Sequence, residues 1–271
     1  MPQPVALHLA PHPDDELIGA PATLFALRDR GWRIVNLGCS LGHLPEHGGQ
    51  RAHQAAEACR RAGFEFRALD QSIVAQGDLT RRETLMVDAL LAVFHEEGPV
   101  LVIAPSPHDR HPHHEAVGRS ALALCERLGA AAPRLWLWGL WGDLPLPTLA
   151  TAFTTRRLKK ILRALGAYSA ELQRNDYRRL VRGRASANAI LAPERVFGFG
   201  SKGTSAEYVE VLSEVEFTAG RWLLGQPRWL TDQVLAPVGD TDVTDLLHEA
   251  SLTTRFGGPR ASASTLARSN E

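Results

Sequence analysis

Five short apolar runs recur in the first half of the chain, at residues 5–10, 33–39, 64–69, 100–104 and 135–140, and one stretch of helical periodicity separates each from the next. This alternation constrains the fold more than any other feature. Strand, helix, strand in strict succession requires βαβ crossovers, which are right-handed and leave helices on both faces of a mostly parallel sheet. The runs VALHLA and VLVIA are apolar almost throughout, as strands buried on both faces are. The expected fold class is therefore α/β, a Rossmann-like three-layer αβα sandwich with a mostly parallel sheet, followed by a C-terminal helical and β extension.

The second half is less regular. Residues 155–181 read as helical and basic, 197–203 as a glycine-rich turn, and 208–217 as a strand exposed on one side, because apolar and polar residues alternate there. The expected organisation is a catalytic core over 1–145, an extension of the same domain over 146–250, and a disordered polar tail over 251–271. With 30 basic and 30 acidic residues the chain is neutral, which gives no electrostatic case for nucleic acid or an anionic membrane as partner. The basic stretch at 156–163 reads as a solvated helical face. No run reaches the roughly 18–20 apolar residues of a membrane span, and the N-terminus lacks the basic region of a signal peptide. Cytoplasmic residence without integral membrane association is the expectation. Cys39, Cys59 and Cys125 show no CxxC spacing and read as small buried hydrophobes.

Two motifs carry chemistry. His12-Pro13-Asp14-Asp15-Glu16 follows the first strand and opens the first helix, at the strand exit where open α/β sheets bind ligands. Either aspartate could cap that helix, but one cap leaves the histidine beside two carboxylates unexplained. Burying such acids together is costly without a cation. His108-Asp109-Arg110-His111-Pro112-His113-His114-Glu115 follows the run at 100–104 and opens another helix, with Pro112 suited to its first position. Four of the eleven histidines fall in seven positions. Imidazoles at one strand exit facing carboxylates at another suit a divalent metal, and two histidines with one carboxylate serve zinc or non-haem iron alike.

The HPDDE run, with the D-x-H-x-x-H run from Asp109 to His114, resembles the PIG-L/LmbE-like N-deacetylases, which remove acetyl groups from N-acetylglucosamine units. The resemblance spans residues 5–217. It implies one Zn2+ per chain held by His12, Asp15 and His114. It implies Asp14 as the general base acting on a water at the metal, and His111 as the group that stabilises the oxyanion or protonates the leaving amine. It also implies Arg51 as a contact to sugar or phosphate. The family commonly has HPDH, where this chain has His111-Pro112-His113-His114. Asp109 stands as the replacement carboxylate beside His111, and His113 faces either solvent or substrate. Ser40, Gly42 and His43 after the second strand, and Trp136 and Trp138 in the fifth run with Trp141 just after it, are further candidates for lining the cleft. The tryptophans at 136 and 138 equally suit a core strand.

The expected activity is hydrolysis of a linear amide on a small-molecule glycoconjugate, such as a glycopeptide antibiotic intermediate or a thiol-cofactor pseudo-disaccharide. A metal-dependent phosphoesterase on the same loops is the alternative enzyme. A non-catalytic nucleotide-binding module is disfavoured, since the first strand-to-helix turn holds acids instead of GxGxxG.

Overall fold

The computed structural model describes residues 3–42, 45–73 and 79–249. The candidate His43 and the tail 251–271 lie outside the described residues. Strand β1 (Val5–Ala10) is central. β2 (Arg33–Gly38) and then β3 (Glu65–Ala68) lie on one side of it, and β4 (Leu101–Pro105) and then β5 (Arg134–Trp138) on the other, all parallel. Side chains alternate between faces with period two. Ala6, Ile34, Ile103 and Trp136 enter one apolar cluster, and Leu7, Val35, Val102 and Leu135 the other. Helices α1 (Asp15–Ile18), α2 (Pro21–Asp29) and α3 (Pro45–Ala62) contribute to the first cluster. Helices α4 (Leu79–Glu97) and α5 (Pro112–Leu128) contribute to the second. The result is a sheet between two helical layers with both motifs at its carboxyl edge.

The extension continues the same sheet. The 11-residue strand β7 (Tyr208–Thr218) pairs antiparallel with β5 through residues 213–215, and through residues 208–212 with β6 (Leu149–Phe153). β8 (Arg221–Gly225) and β10 (Val238–Asp242) extend the antiparallel end, and the two-residue β9 (Arg228–Trp229) pairs with β6. Helices α6 (Thr155–Leu165), α7 (Ser169–Arg174), α8 (Tyr177–Phe197) and α9 (Thr244–His248) complete the described fold. No helix among the described residues is long and apolar enough to cross a membrane.

The structure breaks two stretches that read as continuous helices. Residues 17–30 divide into α1 and α2, because Pro21 has no N–H to continue the ladder and Gly19 runs hard against the core. A Cβ at Gly19 would lie 2.9 Å from the Trp138 ring and from the Asp15 carbonyl. Glu210 of β7 then takes the first free amides of α2, accepting from Ala22 at 2.9 Å and Thr23 at 2.8 Å. Residues 155–181 divide into α6, α7 and the start of α8, where the Asp176 carboxylate accepts from the Arg179 amide at 2.9 Å. The basic face of α6 is solvated at Arg156, Lys159, Lys160 and Arg163, while Arg157 pairs with Asp29 at 2.5 Å. Trp136 and Trp138 are fully buried and all three cysteines are buried and free.

Glu214 joins the two halves of the sheet. It is 0% exposed. Its Oε1 accepts from Arg134 of β5 at 2.7 Å and from the Trp136 indole at 3.0 Å, and its Oε2 from Arg228 of β9 at 2.9 Å. Removing one member of a buried charge network leaves its partners desolvated and uncompensated, at about 3–5 kcal/mol. Glu214→Ala is therefore expected to lower the thermal unfolding midpoint by about 6–20 °C. A calorimetric midpoint within about 2 °C of wild type would exclude this role, since for a chain of this size that is under about 1 kcal/mol.

Candidate active site

The site is built where β1 and β4 leave the sheet. After β1 the chain turns at Asp14, whose φ of 105° lies in the left-handed region that a non-glycine residue occupies only under constraint. The turn lets α1 begin at once, with Asp15 and Glu16 in its first turn. Neither aspartate caps this helix in the ordinary way. Asp14 makes no capping bond, and Asp15 Oδ2 accepts from the backbone N–H of His12 at 2.8 Å. That bond folds the loop so that the His12 ring stands over Asp15. After β4, Pro112 starts α5 with His111 at its N-cap position.

The two loops converge. Asp15 Oδ2 lies 3.4 Å from His12 Nδ1 and 3.4 Å from His114 Nε2. His12, His111 and His114 each offer a ring nitrogen within 4.8 Å of the others. His111 Nδ1 is buried without a hydrogen-bond partner among the described residues. Several nitrogen lone pairs and a carboxylate oxygen facing one point repel one another unless a positive charge sits among them, and imidazole with carboxylate is the donor set that zinc and related divalent ions take. The residues fit a metal ion, with His111 as an additional nitrogen beside the three expected ligands.

The surrounding groups divide the charge. Burial alone would raise Asp15, but the charge of His114 and the hydrogen bonds from His12 outweigh it and hold this carboxyl at about 2. Asp14 moves the other way: burial, then the negative charges of Asp15, Glu16 and Glu171, raise it well above the ordinary carboxylate range, with Arg51 opposing. Burial also pushes Glu16 up to about 7, against the 2.6 Å hydrogen bond donated by the Tyr168 hydroxyl. His111 is lowered to about 4 by burial and by the neighbouring His114, His12 and His113. It therefore stands as a neutral ring near pH 7, with one N–H to donate.

Asp109 requires a correction. It is not the carboxylate beside His111, and it is closed to substrate. It is 1% exposed, its Oδ2 accepts from His114 Nδ1 at 2.6 Å, and its Oδ1 accepts from the backbone N–H groups of Leu140 and Trp141. The first turn of α5 brings position 114, not 111, over it. His113, half-buried, faces His12 instead of open solvent, with its Nδ1 2.9 Å from His12 Nε2. His108 turns away to the Leu246 carbonyl at 2.8 Å.

These groups open on a cleft of about 250 Å3 lined by His12, Asp14, His113, Arg51, Trp141 and Tyr177, among others. Arg51 faces Glu171 at 3.4 Å. Gly42, with φ of 103°, leaves the space its guanidinium occupies, since a Cβ there would collide with it. Trp141, 45% exposed, is the tryptophan of the three that reaches the cleft. The far wall comes from Arg174 and Tyr177, whose hydroxyl accepts from Arg174 at 3.0 Å. Sequence reading did not single out these two or Glu171. They sit in the helices of the extension, and a polar stretch such as QRNDYRR carries no spacing that distinguishes a cleft wall from a solvated face.

No protein with a curated description matches this sequence. Among solved structures, the fold is similar to the A40926 pseudoaglycone deacetylase Dbv21, with a TM-score of 0.60 and 15% identity over 79% of this chain and 98% of that one. It is similar to the N,N'-diacetylchitobiose deacetylase of Pyrococcus horikoshii, with a TM-score of 0.58 and 18% identity over 78% of this chain and 83% of that one. It is also similar to GalB, the 4-carboxy-2-hydroxymuconate hydratase of Pseudomonas putida KT2440, with a TM-score of 0.58 and 16% identity over 78% and 96%. At these identities the likeness is one of fold, and the third structure runs different chemistry on it. The family comparison is more specific: residues 7–125, which hold both motifs, match the family model described as PIG-L, GlcNAc-PI de-N-acetylase.

Proposed function

We propose that this chain is a zinc-dependent hydrolase that removes an N-acyl group, acetyl in the simplest case, from an N-acylglucosamine unit of a soluble glycoconjugate. One observation supports this reading above the others. A single carboxylate oxygen of Asp15 stands 3.4 Å from nitrogens of both His12 and His114, with the raised carboxyl of Asp14 in the same cleft. His12, Asp15 and His114 would hold the ion. When bound, such an ion supplies a Lewis acid that polarises the acyl carbonyl and brings water within reach of a carboxylate base at neutral pH.

The remaining work falls to the chain's own side chains. Asp14, held above the ordinary carboxylate range, takes the proton of the attacking water and can return it to the leaving amine. His111 donates its single N–H toward the oxygen that becomes negative as the carbonyl is attacked. Asp109 fixes the tautomer and orientation of His114. A cleft of about 250 Å3 lies below the roughly 300–1,000 Å3 of ordinary ligand pockets. It therefore takes one N-acyl sugar unit, with the rest of the glycoconjugate outside. Arg51, Arg174 and Tyr177 give that sugar polar contacts, and Trp141 gives it an apolar face.

The A40926 pseudoaglycone and N,N'-diacetylchitobiose deacetylases of similar fold, with the GlcNAc-PI de-N-acetylase match over residues 7–125, favour an N-acetylglucosaminide, and a glycopeptide antibiotic intermediate is the preferred case. A thiol-cofactor pseudo-disaccharide is the alternative. The hydratase on this fold makes the reaction itself worth testing. Asp14→Asn is expected to keep its metal and lose turnover by roughly 100- to 10,000-fold, while His12→Ala loses the metal. Amine release from N-acetylglucosaminides and metal content on the same samples check both. Near wild-type deacetylation by both variants would refute the assignment. Asp109→Ala is expected to weaken zinc binding by about 10- to 100-fold, read by competition with a chromophoric chelator.

A further inference from the structure

His12 and His114 are held in the same way. Each turns one ring nitrogen toward Asp15 Oδ2, at 3.4 Å in both cases. Each has its other nitrogen within hydrogen-bond distance of a partner: His114 Nδ1 lies 2.6 Å from Asp109 Oδ2, and His12 Nε2 lies 2.9 Å from His113 Nδ1. A histidine that binds a metal through one nitrogen almost always donates the other N–H to an acceptor, which fixes its tautomer and the plane of its ring. Asp109 serves His114 in this way. We propose that His113 is the corresponding positioning residue for His12. It accepts the Nε2–H of His12, leaves the Nδ1 lone pair directed at the point that Asp15 and His114 share, and holds the ring over that point. The inference rests on the metal-centre reading above.

The backbone explains why one helix start can do both jobs. Pro112 sets the first turn of α5, and His113 and His114 follow it consecutively. Successive side chains leave a helix about 100° apart. One therefore points down into the site, where His114 is 1% exposed. The other points sideways, where the His113 ring centroid lies 5.1 Å from that of His12 and 5.6 Å from that of His111. The two supports differ in chemical type: Asp109 presents a carboxyl to His114, while His113 presents an imidazole to His12, beside a pocket that already holds the carboxyls of Asp14, Asp15 and Glu16.

The test is zinc affinity of the full chain, measured by chelator competition, for wild type, His113→Ala and His113→Gln, with the thermal midpoint of each metal-free protein. His113→Ala is expected to bind zinc about 10- to 100-fold more weakly, with an unchanged metal-free midpoint. His113→Gln, which restores an acceptor, is expected to recover most of that affinity. The cobalt-substituted forms are expected to keep the wild-type visible absorption intensity, since no ligand is lost. Three results would overturn the inference: equal affinity in His113→Ala, a fall in its metal-free stability that accounts for the weakened binding, or a cobalt spectrum showing a changed coordination number. The last would make His113 a direct ligand. Wild-type protein that binds no zinc would overturn the metal-centre reading itself, so the two failures are distinguishable.

Discussion

Three consecutive carboxyls buried at the end of the central strand are the constraint from which the rest of the site follows. Asp14, Asp15 and Glu16 are all nearly inaccessible, and three carboxylates cannot share a low-dielectric pocket as equal anions. The fold resolves this by giving each a different environment. Asp15 faces two imidazoles and stays ionised. Glu16 receives the Tyr168 hydroxyl on one oxygen and is pushed up to about 7. Asp14 is buried among its acidic neighbours, with Arg51 in opposition, and is raised well above its ordinary value. Groups of one chemical type, made unequal by their surroundings, thus offer within one turn of helix the two carboxyls to which the proposed function gives the roles of ligand and base.

That separation depends on parts of the chain far from the motif. Tyr168 comes from the segment between α6 and α7, Glu171 from α7, and Glu210, which receives the first amides of α2, from β7. The antiparallel extension thus completes the surroundings of the acids as well as the sheet. Its attachment through Glu214, Arg134 and Arg228 sits at the strand whose exit loop supplies Trp141. A loosened junction would therefore be felt at the cleft as well as in stability.

The parallel half of the fold was legible because its signals are local. Each apolar run ends at a glycine, a proline or a charged turn, and the alternation of strand and helix leaves few topologies. Both motifs fell at strand exits for the same reason. The helix breaks at Gly19 and Pro21 and at Gly166 were harder to see, because apolar spacing continues across them and the cause is packing, against Trp138 in the first case. Strands β6, β8, β9 and β10 carry no clean alternation. β9 is two residues long, and β10 is largely exposed along its five residues, so tertiary pairing defines them.

Within the site, the residue types were legible and their partners were not. An aspartate five positions before one histidine and two before another can serve either, and only the rotation of α5 decides. Because Pro112 starts the helix directly after His111, His111 stays at the cap, in extended backbone, while His114 swings onto Asp109. The same rotation turns His113 toward His12 and away from open solvent. Histidine at 113 therefore has a geometric meaning that spacing alone did not disclose: it faces the far nitrogen of the first motif's histidine, across 101 positions of sequence. The two motifs are consequently linked twice, through Asp15 and His114 on the inside and through His12 and His113 on the outside. A shift of α5 by a fraction of a turn would disturb both links together, so the start of α5 is the element on which the geometry of the centre rests.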